Sequence, residues 1–369
     1  MTIRSTAARF LGASTFALVA FSAQPALAQD ADTAGAESTD GQLNTIIVTA
    51  NRREENLQDV PVSAATLDAS TVRTIFDAGA EITALAARVP GLFVESSNGR
   101  AAPRFYIRGL GNTDFDLAAS QPVSVVMDDV VMENVTLKSF PIFDVERIEV
   151  LPGAGAALYG NGVVGGAVNI VTRERYRNQA GVEVTGGSFS TTGGGLWATG
   201  HHQDEGGGDN HTSAAASVQA LHSDGYRENN DLQQRNAFAD LRTRRDDLTF
   251  YLTATGERQN LDLPGGRTVN LATGENLFED DPDGANTPYD WADQDTITVM
   301  PGMNVRIGDH SRLHLDFSGR RKEQSYYFFD PGFPTYGETD VDSYSVNPRF
   351  TSQFQAAGLT HNTTVGWDL

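Results

Sequence analysis

Pro152 to Gly166 is the richest run of small residues in the chain and first suggests a phosphate cradle. Gly155 and Gly160 have P-loop spacing, but Asn161-Gly162 stands where Lys and Ser or Thr must reach phosphate and metal. Gly153 and Gly155 begin a dinucleotide fingerprint, but Leu158 replaces its third glycine. Tight turns and close backbone approach explain the run better. Gly186-Gly187-Ser188-Phe189-Ser190 lacks the last glycine of a nucleophile elbow. His310 and His314 lack the Glu of a zinc-protease helix and fall in a strand pattern. His201, His202 and His211 flank a Gly-rich turn and read as solvated. Glu279, Asp281, Asp283, Gly284 and Asp290 have calcium-loop spacing, with Glu first, Asp last and Pro282 between ligands. A solvated acidic loop is the expected reading there, so no metal site, cofactor or enzymatic centre is expected.

Composition narrows what must position such residues. The 369 residues include no Cys, which excludes disulfides, thiolate metal sites and a Cys nucleophile. The 48 acidic against 27 basic residues give a net charge of −21, opposite to the basic footprint of a nucleic-acid binder. A mean hydropathy of −0.32 excludes a helical membrane bundle. The 37 Gly, 19 Phe and 10 Tyr suit an outer-membrane β-barrel or a secreted β-sandwich.

Arg4 and Arg9, the apolar run from Phe10 to Ala23 and Ala26-Leu27-Ala28 have the layout of a cleaved signal peptide, residues 1–28. No other run reaches the about 18 apolar residues of a spanning helix, so only a barrel could hold the mature chain in a membrane. Residues 29–59 form an acidic linker, interrupted by the β-prone island Thr45-Ile46-Ile47-Val48-Thr49-Ala50. That island is either the first strand of the next domain or a peptide that adds itself to a partner's sheet.

Residues 60–175 read as one α+β domain. Strands are expected over 62–67, 105–107, 123–127, 145–151 and 167–172. A helix capped by Asp68 or Ser70 should run through Asp77, and a second from Glu81 to Arg88 should stop at Pro90-Gly91. From 176 the period changes to two: Leu248, Phe250, Leu252 and Ala254 alternate with Thr249, Tyr251, Thr253 and Thr255. Nine such strands are expected, about 181–188, 193–201, 211–223, 233–243, 247–257, 294–307, 311–324, 343–354 and 359–369. Pro301 predicts an irregularity. From the third strand on, loops alternate long and short, the mark of an outer-membrane barrel.

Several segments together carry a family likeness. Thr45 to Ala50 looks like a TonB box. Leu85 to Val94, Phe105-Tyr106-Ile107-Arg108-Gly109, Pro122 to Val130, Phe143 to Leu151, Leu158-Tyr159-Gly160 and Gly165 to Thr172 follow in the order of a plug domain. The chain resembles the TonB-dependent outer-membrane receptors. The resemblance implies an α+β plug inside an antiparallel transmembrane β-barrel of about 22 strands, of which this chain holds nine. It implies a monomer in the bacterial outer membrane. Energy-coupled import of a scarce solute such as a ferric siderophore would follow. The partners would be the periplasmic domain of TonB, outer-membrane lipid and that solute, with no nucleic acid. Residues 45–50 would be the coupling strand and Arg108 a plug–barrel contact. Arg100, Arg104, Asn112, Asp114, Phe115 and Gln121 would meet the cargo. An import-incompetent binding remnant and a secreted glycan-active enzyme are the rival classes.

The family usually has Arg-Gly-Pro where this chain has Pro152-Gly153-Ala154. One of two family arginines that face barrel carboxylates is therefore missing, and weaker plug–barrel coupling is expected. About 22 strands of about ten residues need roughly 220 positions before any loop. Residues 176–369 are fewer, so a truncated receptor is expected.

Overall fold

The computed structural model describes residues 47–49, 52–53, 55–58, 60, 63–76, 85–95, 104–111, 122–128, 130–131, 145–153, 163–172, 177–204, 208–329, 333–367 and 369. All lie within one compact unit, Thr45–Leu369.

The N-terminal lobe holds a five-stranded mixed sheet in the order β3 (Ala65–Asp68), β9 (Val145–Pro152), β10 (Gly166–Thr172), β7 (Val123–Met127), β8 (Val130–Val131). β7 and β10 are parallel; the other neighbours are antiparallel. Three short strands, β4 (Leu92–Glu95), β5 (Arg104–Ile107) and β6 (Leu110–Gly111), form a second sheet. Helix α1 (Ala69–Phe76) begins where the Asp68 carboxylate accepts the Thr71 amide at 2.8 Å and the Ser70 hydroxyl at 2.8 Å, so Asp68 is the cap. Those bonds hold the Asp68 pKa below its ordinary value. The second expected helix begins outside the described residues. Its remainder, 85–88, is a turn with Ala87 at φ +58°. The central strands of this lobe are mostly apolar because both faces are covered, and Val126, Val168 and Ile170 are fully or nearly fully buried.

Gly166 explains part of the glycine-rich run. Its φ is +140°, and a Cβ there would stand 2.4 Å from the Leu151 carbonyl oxygen. The glycine lets β9 and β10 meet, as backbone packing and not phosphate chemistry requires.

The second lobe is a nine-stranded antiparallel meander, each strand paired with its sequence neighbour. It comprises β11 (Gln179–Gly186), β12 (Thr192–Gln203), β13 (His211–Ser223), β14 (Leu232–Arg245), β15 (Leu248–Asp262), β18 (Trp291–Ile307), β19 (Ser311–Phe328), β20 (Thr335–Ala356) and β21 (Leu359–Gly366). Tight turns such as 246–247, 308–310 and 357–358 close one end. Long loops such as 263–290 close the other, where β16 (Val269–Asn270), β17 (Glu275–Asn276) and α2 (Leu277–Asp280) form a small subdomain. Pro301 interrupts the β18–β19 ladder at Met300 and Pro301 without shifting register: Val299 faces Gly319 and Gly302 faces Asp316.

This wall is inverted relative to a soluble sheet. Its outward positions include exposed Leu241, Phe250, Leu252, Ile297, Val299, Phe317, Tyr344, Val346, Phe350 and Phe354. Its inward positions include buried Gln234, Asn236, Asp240, Thr253, Gln259, Gln294, Asp316, Asn347 and Arg349. Ten steps from Phe354 to Tyr344, at about 3.3 Å each and a tilt of about 40°, give an apolar band about 25 Å tall, the hydrocarbon height of an outer membrane. Just above the band, Arg235, Arg258, Asp295, Glu323 and Asp340 lie side by side in one row across five strands. No helix among the described residues is long and apolar enough to cross a membrane.

Candidate functional site

The site at the tight-turn end begins with β1 (Ile47–Val48), which pairs with β2 (Glu55–Asn56) over two residues. Val48 is fully buried among Val60, Val126, Leu151, Val163 and Ala167. The next residue is held by polar bonds. The Thr49 amide donates to both oxygens of Glu149, each at 3.0 Å, and its hydroxyl donates to Glu149 Oε2 at 2.9 Å. Asn169 Nδ2 donates to the Thr49 hydroxyl at 2.9 Å. Glu149 is itself fully buried on β9, where Arg147 Nε donates to it at 2.7 Å. A carboxylate satisfied by a guanidinium, an amide and a hydroxyl is stable in a dry place. Of the island at 45–50, residues Thr45, Ile46 and Ala50 lie outside the described residues. Its described part, 47–49, is thus docked on the lobe by one buried side chain and one carboxylate.

The lobe meets the wall through apolar and ionic contacts. Ala215, Phe238 and Met300 of the wall join the core that holds Ile107, Val125 and Ile170. Arg242 on β14 donates from one terminal nitrogen to Thr172 Oγ1 at 2.7 Å and lies 3.3 Å from Asp128 Oδ2. Its Nε donates to Asp240 at 3.0 Å. Asp128 in turn accepts the Thr172 amide at 2.9 Å and the Thr172 hydroxyl at 2.5 Å. Burial raises the Asp128 pKa, against the opposing pull of Arg242. The guanidinium also lies over the Tyr251 ring, 5.7 Å from its centroid, and the Tyr251 hydroxyl bonds Asp316. Gly302 faces Tyr251 across the ladder; a Cβ there would meet the ring at 2.3 Å. Arg108, the sequence-based contact, is exposed, at φ +51°, and its amide donates to the Gly91 carbonyl. Nothing in the sequence singles out Arg242 beyond its inward parity on β14.

At the long-loop end, Arg227 fills a cage of carbonyls: NH1 donates to Gly265 at 2.6 Å, and NH2 to Gly284 at 2.9 Å and Pro264 at 3.3 Å. Asn229 Nδ2 donates to Leu263, Thr287 and Asp290 carbonyls. The carboxylates of the calcium-like spacing point to separate partners: Asp281 to Arg267, and Asp290 to the Phe329 amide at 2.6 Å. Burial raises the Asp290 pKa. A guanidinium organises this loop where the spacing suggested a cation. His211, expected to be solvated, is buried on the inward face of β13, with its ring 5.4 Å from that of His201. Of the cargo residues, Arg104 is half-buried on β5 opposite Glu95. Arg100, Asn112, Asp114, Phe115 and Gln121 lie outside the described residues.

Known proteins resemble this chain in sequence over its N-terminal lobe and in fold. The family described as TonB-dependent Receptor Plug Domain matches residues 56–167. The vitamin B12 transporter BtuB of Vibrio vulnificus is 28% identical over 162 residues, covering 40% of this chain and 25% of that protein. The ferric aerobactin receptor of Klebsiella pneumoniae is 31% identical over 145 residues, covering 38% and 18%. Among solved structures, the FpvAI–pyocin S2 complex superposes with a TM-score of 0.71 at 16% identity, covering 87% of this chain and 44% of that one. The ferric citrate transporter FecA, unliganded, gives 0.69 at 20% identity, covering 84% and 47%. The chain spans a quarter or less of those curated relatives and under half of those solved chains.

Proposed function

We infer that this chain, which belongs to the family of TonB-dependent outer-membrane receptors, serves energy-coupled import of a scarce solute, a ferric siderophore in the first instance. It is a transport receptor of the outer membrane, with its N-terminal lobe as plug and its meander as barrel wall. The proposed division is 1–28 signal peptide, 29–59 linker, 60–175 plug and 176–369 barrel strands.

One observation carries the coupling role proposed for 45–50. Thr49 lines the same cavity as Asp309 and His310 of a tight turn. In outer-membrane barrels tight turns face the periplasm, so the segment lies at the end that TonB reaches. Among the described residues it is held there by two ladder residues, the buried Val48 side chain and the Glu149 anchor. Strand addition to TonB would replace that ladder one for one, and tension would then act on β9 through Glu149. Related proteins named as receptors for ferric aerobactin and ferric citrate favour an iron chelate as cargo.

The experiment is uptake of radiolabelled ferric siderophores, in a panel, by iron-starved cells carrying the full receptor or a form lacking 45–50. Uptake should require the segment. Equal uptake without it overturns the coupling role, and no uptake of any chelate overturns the iron cargo.

A further inference from the structure

The tight-turn end holds a half-open cavity of about 500 Å³ between plug and wall. That is the size of a small-molecule site. Its charge runs against that of the chain. Six arginines line it: Arg52, Arg53 and Arg147 from the plug, and Arg242, Arg312 and Arg349 from the wall. Four carboxylates, Glu55, Asp128, Glu146 and Asp309, oppose them. In a chain with a net charge of −21, this is a positive enclave.

The wall arginines are placed there by register. Inward positions share rows across the meander: Arg244, Thr249, Asn304, His314 and Arg349 form one row, and Arg306, Arg312 and Thr351 the row nearest the turns. The strand positions of both rows are free of acidic residues, and the flanking turns supply Asp247 to Arg306 at 2.7 Å and Asp209 to Arg244 at 3.3 Å. The plug arginines face them with partners of their own, Arg53 with Glu55 at 2.6 Å and Arg147 with Glu146 and Glu149, each at 2.7 Å. Arg312 pairs with no carboxylate among the described residues. Guanidinium forks on two facing walls match planar carboxylates and phosphates, and low-dielectric walls focus the field between them.

We propose that this cavity is an anion-binding site for a small solute bearing two or more carboxylate or phosphate groups, set between plug and wall beside the Thr49 anchor. The site is independent of which solute the receptor imports. Because Arg147 lines the cavity and also holds Glu149, an anion bound there draws on the same side chain that secures the docked segment.

The 369 residues hold no Cys, so a test is direct in the full receptor once any Cys elsewhere in it is replaced by Ser. Thr249→Cys places a lone thiol on the inner wall of the cavity. Ser325→Cys places one on the outer face, in the row between Asp293 and Glu338. Each is treated with a sulfonate-bearing and a trimethylammonium-bearing methanethiosulfonate. The anionic-to-cationic rate ratio should be at least tenfold higher at Thr249→Cys than at Ser325→Cys. Arg312→Gln with Arg349→Gln should abolish that difference, and millimolar citrate or pyrophosphate should slow modification at Thr249→Cys alone. Heat-modifiable mobility on gels checks folding of each variant. In intact cells, protection by external citrate identifies an imported solute as the source. Protection only after permeabilisation identifies a periplasmic one. Equal ratios at the two thiols, no protection by either anion, or a folded Thr249→Cys that neither reagent reaches would each overturn the site.

Discussion

Arg242 of the barrel wall and Asp128 of the plug approach to 3.3 Å, and Thr172 bonds both of them. The charge on each side is the reverse of the arrangement expected from the family, in which a plug arginine faces barrel carboxylates. Replacement of that arginine by Pro152 led to an expectation of weak coupling, yet this chain places its cation on the wall. Arg242→Met would leave Asp128 and Asp240 buried without their cation, at a cost of about 3 kcal/mol. Asp128→Asn keeps an acceptor for Thr172 and should cost about 1 kcal/mol. The force needed to unfold the plug by single-molecule pulling should fall in that order. Pro152→Arg should raise it; if it does not, Arg242 already supplies the missing coupling.

Acid should tighten the plug. Burial raises the Asp128 pKa in the folded chain, so the folded plug binds this proton more readily than the unfolded one. The resulting stabilisation is complete below the unfolded value, about 3.9, and is lost as pH rises through the higher folded value. Denaturant midpoints of the plug should carry this component across that window, and Asp128→Asn should remove it. Identical pH profiles for the two proteins would contradict the assignment.

Glu149→Gln should loosen the docked segment. It weakens the Arg147 bond and replaces a charged acceptor by a neutral one for the Thr49 amide and hydroxyl. Charge-assisted bonds contribute about 1.5–3 kcal/mol, so the Thr49 amide should exchange with deuterium at least about tenfold faster. Leu151→Ala, which cuts the apolar side of the same dock, should add to the effect.

Arg227→Gln should unfasten the long loop. Loss of the guanidinium removes the side-chain donor to the carbonyls of Gly265 and Gly284, while Pro264 keeps the Asn286 and Thr287 amides. Proteolytic nicking within 263–290 should rise several-fold. Chelators should leave the unsubstituted loop unchanged, because Asp281 and Asp290 are committed to Arg267 and Phe329.

The nine wall strands were legible because an inverted period-two pattern survives in sequence: Phe250 and Leu252 outward, Tyr251 and Thr253 inward. Their ends drifted outward, as at 335–356, because charged outward residues such as Asp340 and Asp342 still pair above the apolar band. The plug strands were legible as apolar runs. The two contacts that define the site were not. Thr49 and Glu149 are 100 positions apart, Asp128 and Arg242 114, and no local pattern links either pair. The order of the subdomain at 263–290 has no local signature because it comes from Arg227 and Asn229 on a different loop. Of the acids with calcium-like spacing there, Asp281 and Asp290 have protein partners.

The row of Arg235, Arg258, Asp295, Glu323 and Asp340 also sets a waterline. Sinking the wall by one pair of residues would drag these charges into hydrocarbon, at up to about 2–4 kcal/mol for each arginine at the midplane and less near the interface. Raising it would lift Val299 and Tyr344 out of the hydrocarbon on the long-loop side. The molecule therefore floats at one fixed draught, and under the coupling proposed above a pull on the docked segment would load the plug before it moved the wall.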